Sequence, residues 1–306
     1  MLTGDNPTYR AFSTNVKLIA IPTISATQLD SWSPAPQPGN YPYDDALARL
    51  PQWSGQNPPI GHVWAPSVHK FGNTYVMYYV APHAASGDQC IGVATSSTPQ
   101  GKYRPVQSIP LVQDESPIIC QTSIGGSIDP SVFIDPTDGN RPWLVWKNDG
   151  NCCGAPVQIW SQPLASDGLH VQSNSSPTAL ITVDQGWESG GSPVNTVVEG
   201  PSMTLSGGSW YLFYSGNDFN SADYAIGYAR CSAPSGSCAK PQDGPIMATG
   251  PNGAGPGGAE FFLDVGGGLQ IAYHGWARNC VGVESGCSRL LRFNRVTFPN
   301  GVPGFG

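Results

Sequence analysis

Short runs of β-branched and aromatic residues, separated by turn residues, recur along the chain in a fixed order. Three segments begin with Pro-Ser and an apolar residue: Pro66–Val68, Pro130–Val132 and Pro201–Met203. A run of aromatic and aliphatic residues follows each one, and in two of them it starts nine residues after the proline, at Tyr75 and Trp210. Strand-length apolar runs bounded by turn residues are typical of antiparallel β-structure.

A third run completes each repeat, so the pattern predicts several four-stranded antiparallel sheets of one kind. The third runs are Ile91–Ala94 and Ile226–Ala229, and a further unit follows at Gly258–Phe262, Leu269–His274 and Leu290–Phe293. Tyr9–Ser13 resembles the second strand of a first unit. Because sheets arranged radially around a channel leave few exposed strand edges, we predict an all-β, five-bladed β-propeller as a single domain over residues 1–306. A two-sheet sandwich is the alternative, but sandwiches do not repeat at a period of about 65 to 70 residues.

Composition agrees with a turn-rich β-protein and narrows the partners. Of 306 residues, 38 are Gly and 30 are Pro, and only 11% are charged. The formal net charge is −7, whereas nucleic acids and anionic membranes attract clustered basic residues. No apolar run approaches the roughly 20 residues that span a bilayer. We therefore expect neither nucleic acid nor a membrane as a partner, and we expect a monomer.

The eight cysteines indicate disulfides and an oxidising compartment. Two pairs close short loops: Cys231 with Cys238, and Cys280 with Cys287. We also expect a bridge between Cys90 and Cys120. Adjacent cysteines rarely bond each other, so Cys152 and Cys153 are predicted to have partners elsewhere. Buried thiols are the alternative, and zinc is less expected because the chain has no Cys-x-x-Cys pair. The protein is predicted to be secreted, although its first residues do not resemble a signal peptide.

Candidate chemistry stands directly before the Pro-Ser segments, at Trp64, Asp129 and Glu199. In a propeller the first strand of each blade lines the channel, so these side chains are expected to meet at its mouth. A carboxylic acid, a carboxylate and an aromatic face suit glycoside cleavage and sugar stacking. Each residue also has a structural interpretation, since Asp-Pro opens turns and Trp packs in cores. Their equivalent places in separate repeats favour the functional interpretation.

These segments resemble glycoside hydrolase family 43. The resemblance is carried by Trp64–Val68, Ile128–Phe133 and Val198–Met203, and further by Trp146–Asn151, Leu212–Asn217, Gly255–Gly258 and Tyr273–Trp276. It covers nearly the whole chain and keeps the order of the family's motifs. It implies a five-bladed propeller that hydrolyses arabinose- or xylose-containing plant polysaccharides with inversion at the anomeric carbon.

The resemblance also implies roles for individual residues. Glu199 matches the family's general acid, and Asp129 matches the residue that positions this acid and raises its pKa. Arg289 resembles a substrate-contacting arginine, and His274 matches a channel histidine that holds water or a structural calcium ion. No other cofactor is expected. Asp45 lies in the loop between blades one and two, where we expect contact with a carbohydrate substrate.

A third carboxylate, the general base, is the open point of this interpretation. In the family it is an aspartate in an Asp-Pro motif that opens blade one. The repeat spacing predicts this position at or before Met1, and Asp5 falls in a predicted hairpin turn on the other side of the blade. A carbohydrate-binding propeller without hydrolysis is therefore the alternative function. An enzyme acting on fructans or mannosides is a further alternative, but the acidic motifs of those families are not found here.

Overall fold

The computed structural model describes residues 2–3, 9–34, 44–55, 62–106, 115–189, 196–241, 244–251 and 253–306. Within these ranges, five antiparallel sheets form the blades of a β-propeller, which confirms the predicted fold. In each blade the strands are adjacent in sequence order. No helix in the described ranges is long and apolar enough to cross a membrane.

The strand bounds follow the predicted repeats. Blade one contains β1 (Leu2–Thr3), β2 (Tyr9–Phe12), β3 (Pro22–Ala26) and β4 (Trp32–Pro34), with β5 (Asp44–Asp45) pairing the start of β3. Blade two contains β6 (Trp64–Phe71), β7 (Thr74–Pro82), β8 (Gln89–Ser96) and β9 (Arg104–Pro105). Blade three contains β10 (Ser127–Asp135), β11 (Arg141–Asn148), β12 (Gln158–Pro163) and β13 (Thr178–Thr182). Blade four contains β14 (Val198–Ser206), β15 (Ser209–Gly216), β16 (Ala225–Cys231) and β17 (Cys238–Ala239), and blade five contains β18 (Ala254–Leu263), β19 (Leu269–Trp276), β20 (Leu290–Thr297) and β21 (Gly304–Phe305).

Aromatic side chains pack between the blades and close the ring. Blade five meets blade one through Tyr9 and Phe262, whose ring centroids are 6.2 Å apart, and through Trp32 stacked on Phe293 at 5.4 Å. The Tyr9 hydroxyl also accepts a hydrogen bond from the Val265 backbone at 3.1 Å. The first strands of blades two to five contact one another in turn. These strands therefore surround the central channel, as the repeat pattern predicts.

The first strands of blades two to five share a β-bulge at the proline of the repeat. The residue before this proline has a left-handed backbone in all four: Ala65 at φ +43°, Asp129 at +54°, Gly200 at +55° and Gly255 at +55°. Left-handed backbone is uncommon for residues other than glycine, although Asp tolerates it better than most. A bulge re-aims a side chain and is common next to active sites. Asp129 is thus the equivalent of Gly200, and Glu199 lies one position earlier in the repeat.

All eight cysteines form disulfides. The predicted bridges Cys90–Cys120, Cys231–Cys238 and Cys280–Cys287 are confirmed. The prediction for Cys152 and Cys153 is wrong, because these neighbours bond each other. They lie in a 3₁₀ turn that begins at Gly150, where the Cys152 and Cys153 amides donate to the carbonyls of Asp149 and Gly150. With the other six cysteines paired, neither has another partner.

Candidate active site

Glu199 lies near the start of β14 and is held by side chains from two blades. Its Oε2 accepts a hydrogen bond from Lys147 Nζ at 3.2 Å, and its Oε1 accepts one from the Tyr224 hydroxyl at 2.8 Å. Tyr224 directly precedes β16 of the same blade, whereas Lys147 comes from β11 of blade three. The Glu199 side chain remains 15% exposed. The carboxyl group is therefore fixed in orientation and still open to solvent.

Lys147 is an almost fully buried cation, with 1% of its side chain exposed. Its Nζ lies 3.7 Å from Asp149 Oδ1, in addition to its contact with Glu199. Burial alone lowers the pKa of Lys147, but the charges of Glu199, Asp129 and Asp149 outweigh this effect and raise it. The lysine therefore stays protonated among three carboxyl groups. We call Asp129, Lys147, Asp149 and Glu199 the acid cluster.

Asp129 faces Glu199 across the boundary between blades three and four. Its Oδ2 accepts the Gly200 backbone N–H at 3.0 Å, one residue from the acid. Burial and, next, the charge of Glu199 raise the pKa of Asp129 to about 6, although Lys147 and the Gly200 amide act in the opposite direction. The protonation of Asp129 therefore depends on the charge of Glu199. This is the arrangement that a modulating carboxylate needs.

A row of four side chains, which we call the wall, begins at Tyr224 and continues through His274 and Arg289 to Phe219. The Tyr224 ring stacks on the His274 ring with centroids 5.7 Å apart and planes 8° apart. Arg289 Nη1 donates to His274 Nε2 at 3.0 Å, and the Arg289 guanidinium lies 5.3 Å from the centre of the Phe219 ring. Burial and the charge of Arg289 lower the pKa of His274 well below its ordinary value, so this imidazole is neutral. His274 and Arg289 are thus linked to Glu199 through Tyr224.

The contacts of His274 bear on the calcium ion that the family implies. Since Arg289 occupies Nε2, the remaining Nδ1 is buried without a hydrogen-bond partner among the described residues. Calcium takes six to eight oxygen ligands, whereas this position offers one nitrogen next to a guanidinium. The described donors suit a water molecule better than calcium, and no step below uses a metal. Among the described residues, one group of His, Cys, Asp and Glu side chains lies close enough together to hold a metal ion: His83 with Cys90 and Cys120. The two cysteine sulfurs of this group already form a disulfide.

Trp64 and Asp45 have different surroundings from the acid cluster. Trp64 is the first residue of β6, partly buried, and packs in the apolar cluster between blades two and three. The Asp45 carboxylate accepts three backbone N–H groups, from Ala20 at 2.9 Å, Ile21 at 3.0 Å and Leu47 at 3.1 Å. These bonds join β5 to the residues directly before β3, so Asp45 is not carried into the proposed site. Asp5 lies outside the described residues.

Three further polar residues were not predicted. Lys147 and Asp149 follow the apolar run of β11, where a lysine in a buried strand is the unusual feature. Glu260 in β18 accepts a hydrogen bond from Ser67 at 3.1 Å, and burial, its largest influence, raises its pKa. Ser202 in turn accepts the Phe261 amide at 3.1 Å. Serines of the Pro-Ser repeats therefore bind blade five, Ser67 from blade two and Ser202 from the neighbouring blade four, a role that the repeat itself does not reveal.

Comparison with known proteins agrees with this geometry. The family model described as "Glycosyl hydrolases family 43" matches residues 1–303. The chain is 26% identical over 276 residues to an extracellular endo-α-(1→5)-L-arabinanase of Bacillus subtilis, covering 84% of this chain and 73% of that protein. It is 25% identical over 261 residues to a probable arabinan endo-1,5-α-L-arabinosidase of Aspergillus flavus, covering 78% of this chain and 72% of the relative.

Solved structures share the fold over nearly the full chain. A thermostable family-43 glycoside hydrolase superposes with a TM-score of 0.77 at 24% identity, covering 99% of this chain and 90% of the other. An arabinanase of Cellvibrio cellulosa, solved with arabinohexaose, superposes with a TM-score of 0.70 at 16% identity, covering 100% and 94%. At these identities the likeness concerns the propeller fold.

Proposed function

Because the chain belongs to glycosyl hydrolases family 43, we propose that it hydrolyses α-1,5-linked arabinan or related polysaccharides that contain arabinose or xylose. The observation that supports this most is the acid cluster: a solvent-accessible Glu199 oriented by two donors, with Asp129 fixed one residue away through Gly200. The arabinanase names of the relatives support arabinan as the first substrate to test.

In this proposal Glu199 is the general acid. It protonates the glycosidic oxygen as the bond to the anomeric carbon breaks, and the electron pair stays on the departing oxygen. The negative charge of Asp129 disfavours ionisation of Glu199 and helps it to keep a proton until it is needed. A water molecule attacks the anomeric carbon from the opposite face of the sugar, and inversion requires a base there, roughly 6.5 to 9.5 Å from the acid, that takes the proton of this water. The family resemblance assigns this base to the first strand of blade one.

Substrate contacts are proposed for Arg289, Phe219 and Trp64. Phe219 is 43% exposed and carries the Arg289 guanidinium near its ring. An aromatic ring offers a face for sugar stacking, and the guanidinium offers several hydrogen-bond donors for hydroxyl groups. Trp64 occupies the place in blade two that Glu199 occupies in blade four. Together these residues would border the acid cluster.

A secreted monomer is the form we propose for the working enzyme. Its eight cysteines are all paired, as expected in an oxidising compartment. The relative from Bacillus subtilis is named as extracellular. Sedimentation of the purified protein and its detection outside the producing cells test the two parts of this statement.

Proton NMR during hydrolysis tests the reaction itself. Linear arabinan, arabinohexaose and xylan are incubated with the folded protein, and the anomeric signal of the first product is recorded before it mutarotates. The proposal expects arabinose-containing products that appear first in the inverted configuration. Retention of configuration contradicts the inverting mechanism, and a folded protein that releases nothing from any of the three contradicts hydrolysis.

Carbohydrate binding without hydrolysis is the second candidate function. Both oxygens of Glu199 accept hydrogen bonds, from Lys147 and Tyr224, and their remaining lone pairs can accept from sugar hydroxyl groups without any bond being broken. This candidate expects calorimetric binding of arabinohexaose, no products, and the same affinity in Glu199→Gln. Added azide separates the two candidates further, because a small anion replaces a missing base only where the acid still works. Turnover of arabinohexaose, whose sugar leaving group needs a proton, that appears only with azide indicates an intact acid without a base.

A further inference from the structure

Lys147 is a buried charge in the middle of the candidate active site. Burying it costs free energy, so we ask what its charge does there. Only 1% of its side chain is exposed, although lysine is almost never fully buried unless it is paired. It sits on β11 directly after four apolar core residues, Trp143–Trp146. Removing an ammonium group from water is unfavourable, and a pair of opposite charges repays this only with good geometry. A packing role alone would be met by an apolar side chain of similar volume.

The ammonium group lies between two carboxyl groups with different surroundings. Nζ is 3.2 Å from Glu199 Oε2 and 3.7 Å from Asp149 Oδ1. The Glu199 oxygen that it contacts is the one not held by Tyr224, whose hydroxyl donates to Oε1. When Glu199 carries a proton, the attraction to Nζ weakens, but Asp149 still holds the lysine in place. When Glu199 is ionised, Nζ is within hydrogen-bond distance of the new charge.

We propose that Lys147 is a positioning residue that controls the ionisation of Glu199: held by Asp149, its ammonium group stabilises the carboxylate that Glu199 becomes after proton transfer. The inference rests on the general-acid role proposed for Glu199. In the step concerned, the proton leaves Glu199 for the glycosidic oxygen, the bond from that oxygen to the anomeric carbon breaks, and Glu199 is left with one negative charge. Lys147 neither gives nor takes a proton.

The charge around Lys147 Nζ comes from groups on several strands. Asp129 on β10, Asp149 after β11 and Glu199 on β14 carry or lose negative charge, and Tyr224 faces Glu199 from before β16. The Asp88 carboxylate acts on Asp149 from blade two. Behind Tyr224, Arg289 is the next cation and His274 is neutral. Lys147 is therefore the nearest positive charge to Glu199 among the described residues.

Two substitutions that remove opposite charges test the role proposed for Lys147. Lys147→Met removes the cation next to Glu199 Oε2, whereas Asp149→Asn removes the anion that competes with Glu199 for the same ammonium group. An opposite charge at this distance shifts a carboxyl pKa by about one to three pH units. The pH dependence of kcat/KM for arabinohexaose is measured, since its basic limb reports loss of the proton from the acid. The limb is expected to move up by about one unit or more in Lys147→Met and down in Asp149→Asn.

Lys240→Met is the matched control. Lys240 is also buried, with 5% of its side chain exposed, and its Nζ lies 2.7 Å from Glu188 Oε1. It bonds the Thr182 carbonyl at the outer strands of blades three and four. Its loss is expected to destabilise the protein without moving the basic limb. A general loss of folding lowers the rate at all pH values and does not move the limb in opposite directions in two variants.

Direct titration separates this proposal from the proposed function. The carboxyl carbon of Glu199 is followed by carbon-13 NMR against pH, with its signal identified by its absence in Glu199→Gln. Opposite shifts of its midpoint in Lys147→Met and Asp149→Asn support control by Lys147, even if no arabinan is hydrolysed and the hydrolase proposal fails. A midpoint that stays in place in both variants, or moves the same way in both, overturns the proposal. If Lys147→Met does not fold, Lys147→Gln, which also removes the charge but keeps a hydrogen-bond donor, is titrated in its place, and an unmoved midpoint in that variant overturns the proposal.

Discussion

The backbone N–H of Gly200 donates a 3.0 Å hydrogen bond to Asp129 Oδ2. This bond joins the bulges of blades three and four directly beside Glu199. Asp129 reaches it from a left-handed backbone, at φ +54°, a conformation that costs free energy in a residue other than glycine and is often found at functional sites. Asp129 is therefore fixed next to Glu199, the proposed general acid, by the shape of two neighbouring strands.

Replacing Asp129 with Asn removes a negative charge and keeps the shape. The Asn carbonyl still accepts the Gly200 amide, so the bulges stay joined. Because a nearby like charge disfavours ionisation of a carboxyl group, removing it is expected to move the basic limb of kcat/KM for arabinohexaose to lower pH. Its position in Asp129→Asn is compared with that of the unaltered protein. A limb that stays in place means that Asp129 acts on the acid by geometry alone.

The raised pKa of Asp129 also predicts how stability changes with pH. Its pKa is about 6 in the folded protein against about 4 in the unfolded chain. Between these values the folded state binds more protons, so the free energy of unfolding decreases as pH rises from about 4 to about 6 and then levels off. The raised pKa values of Asp149 and Glu260 act in the same direction.

Thermal unfolding between pH 4 and 6.5 measures this slope. In Asp129→Asn the decrease in Tm is expected to be smaller, with the largest gain over the unaltered protein at the upper end of the range. Asp264→Asn is the control, since backbone amides led by that of Gly268 lower the pKa of this exposed carboxylate. Because the pKa of Asp264 is lowered, Asp264→Asn is expected to change the pH dependence of Tm below pH 4 and not between pH 4 and 6.5. An equal slope in Asp129→Asn and the unaltered protein contradicts the burial assigned to Asp129.

Two disulfides of equal span separate stability from substrate binding. Cys231–Cys238 and Cys280–Cys287 both join residues seven positions apart. By the chain-entropy relation, removing either costs about 2.5 kcal/mol. Only the second adjoins the wall: Val283, inside its loop, donates to Asn220 Oδ1 at 2.7 Å, next to Phe219.

Double Cys→Ser variants at each bridge are compared by denaturant unfolding and by arabinohexaose calorimetry. Similar losses of stability are expected in both. Affinity is expected to fall about ten-fold only in the variant without Cys280–Cys287, because the loops that hold Phe219 and Arg289 become free to move. Equal affinities in the two variants exclude this wall from substrate binding.

Arg289 is predicted to contribute to binding more than to chemistry. Its guanidinium is exposed and reaches the acid only through His274 and Tyr224. Arg289→Gln should therefore raise KM for arabinohexaose about ten-fold and leave kcat within about two-fold. Arg295→Gln is the control and should change neither, since Arg295 lies near the far end of β20, the strand that Arg289 directly precedes. A fall in kcat with KM unchanged would assign Arg289 to the transition state instead.

The blades could be predicted from the sequence because they repeat. The Pro-Ser segments mark the same bulge in each first strand, and the aromatic runs of β7 and β15 are the second strands that the spacing predicts. Glu199 and Asp129 were found by their places before the prolines. The sequence did not show that Asp129 lies one position later in the repeat than Glu199. Only the bulge shows that Asp129 is equivalent to Gly200.

The remaining parts of the site depend on contacts between blades, which a linear pattern does not contain. Lys147 is a second-strand residue whose partner, Glu199, lies 52 positions away in the next blade. Asp45 carries the charge that a sugar contact needs, yet three backbone amides occupy it. The Cys152–Cys153 bond depends on the local turn and on the pairing of every other cysteine, neither of which the spacing reveals.

Hydrolysis of linear arabinan by Glu199→Gln is the most direct test of Glu199 as the general acid. Gln keeps the size of the side chain and its contacts with Lys147 or Tyr224 but has no acidic proton. The account predicts that kcat falls by roughly 10² to 10⁴-fold, while calorimetry shows arabinohexaose bound as tightly as by the unaltered protein. Hydrolysis by Glu199→Gln at the rate of the unaltered protein would contradict the assignment of Glu199 as the general acid.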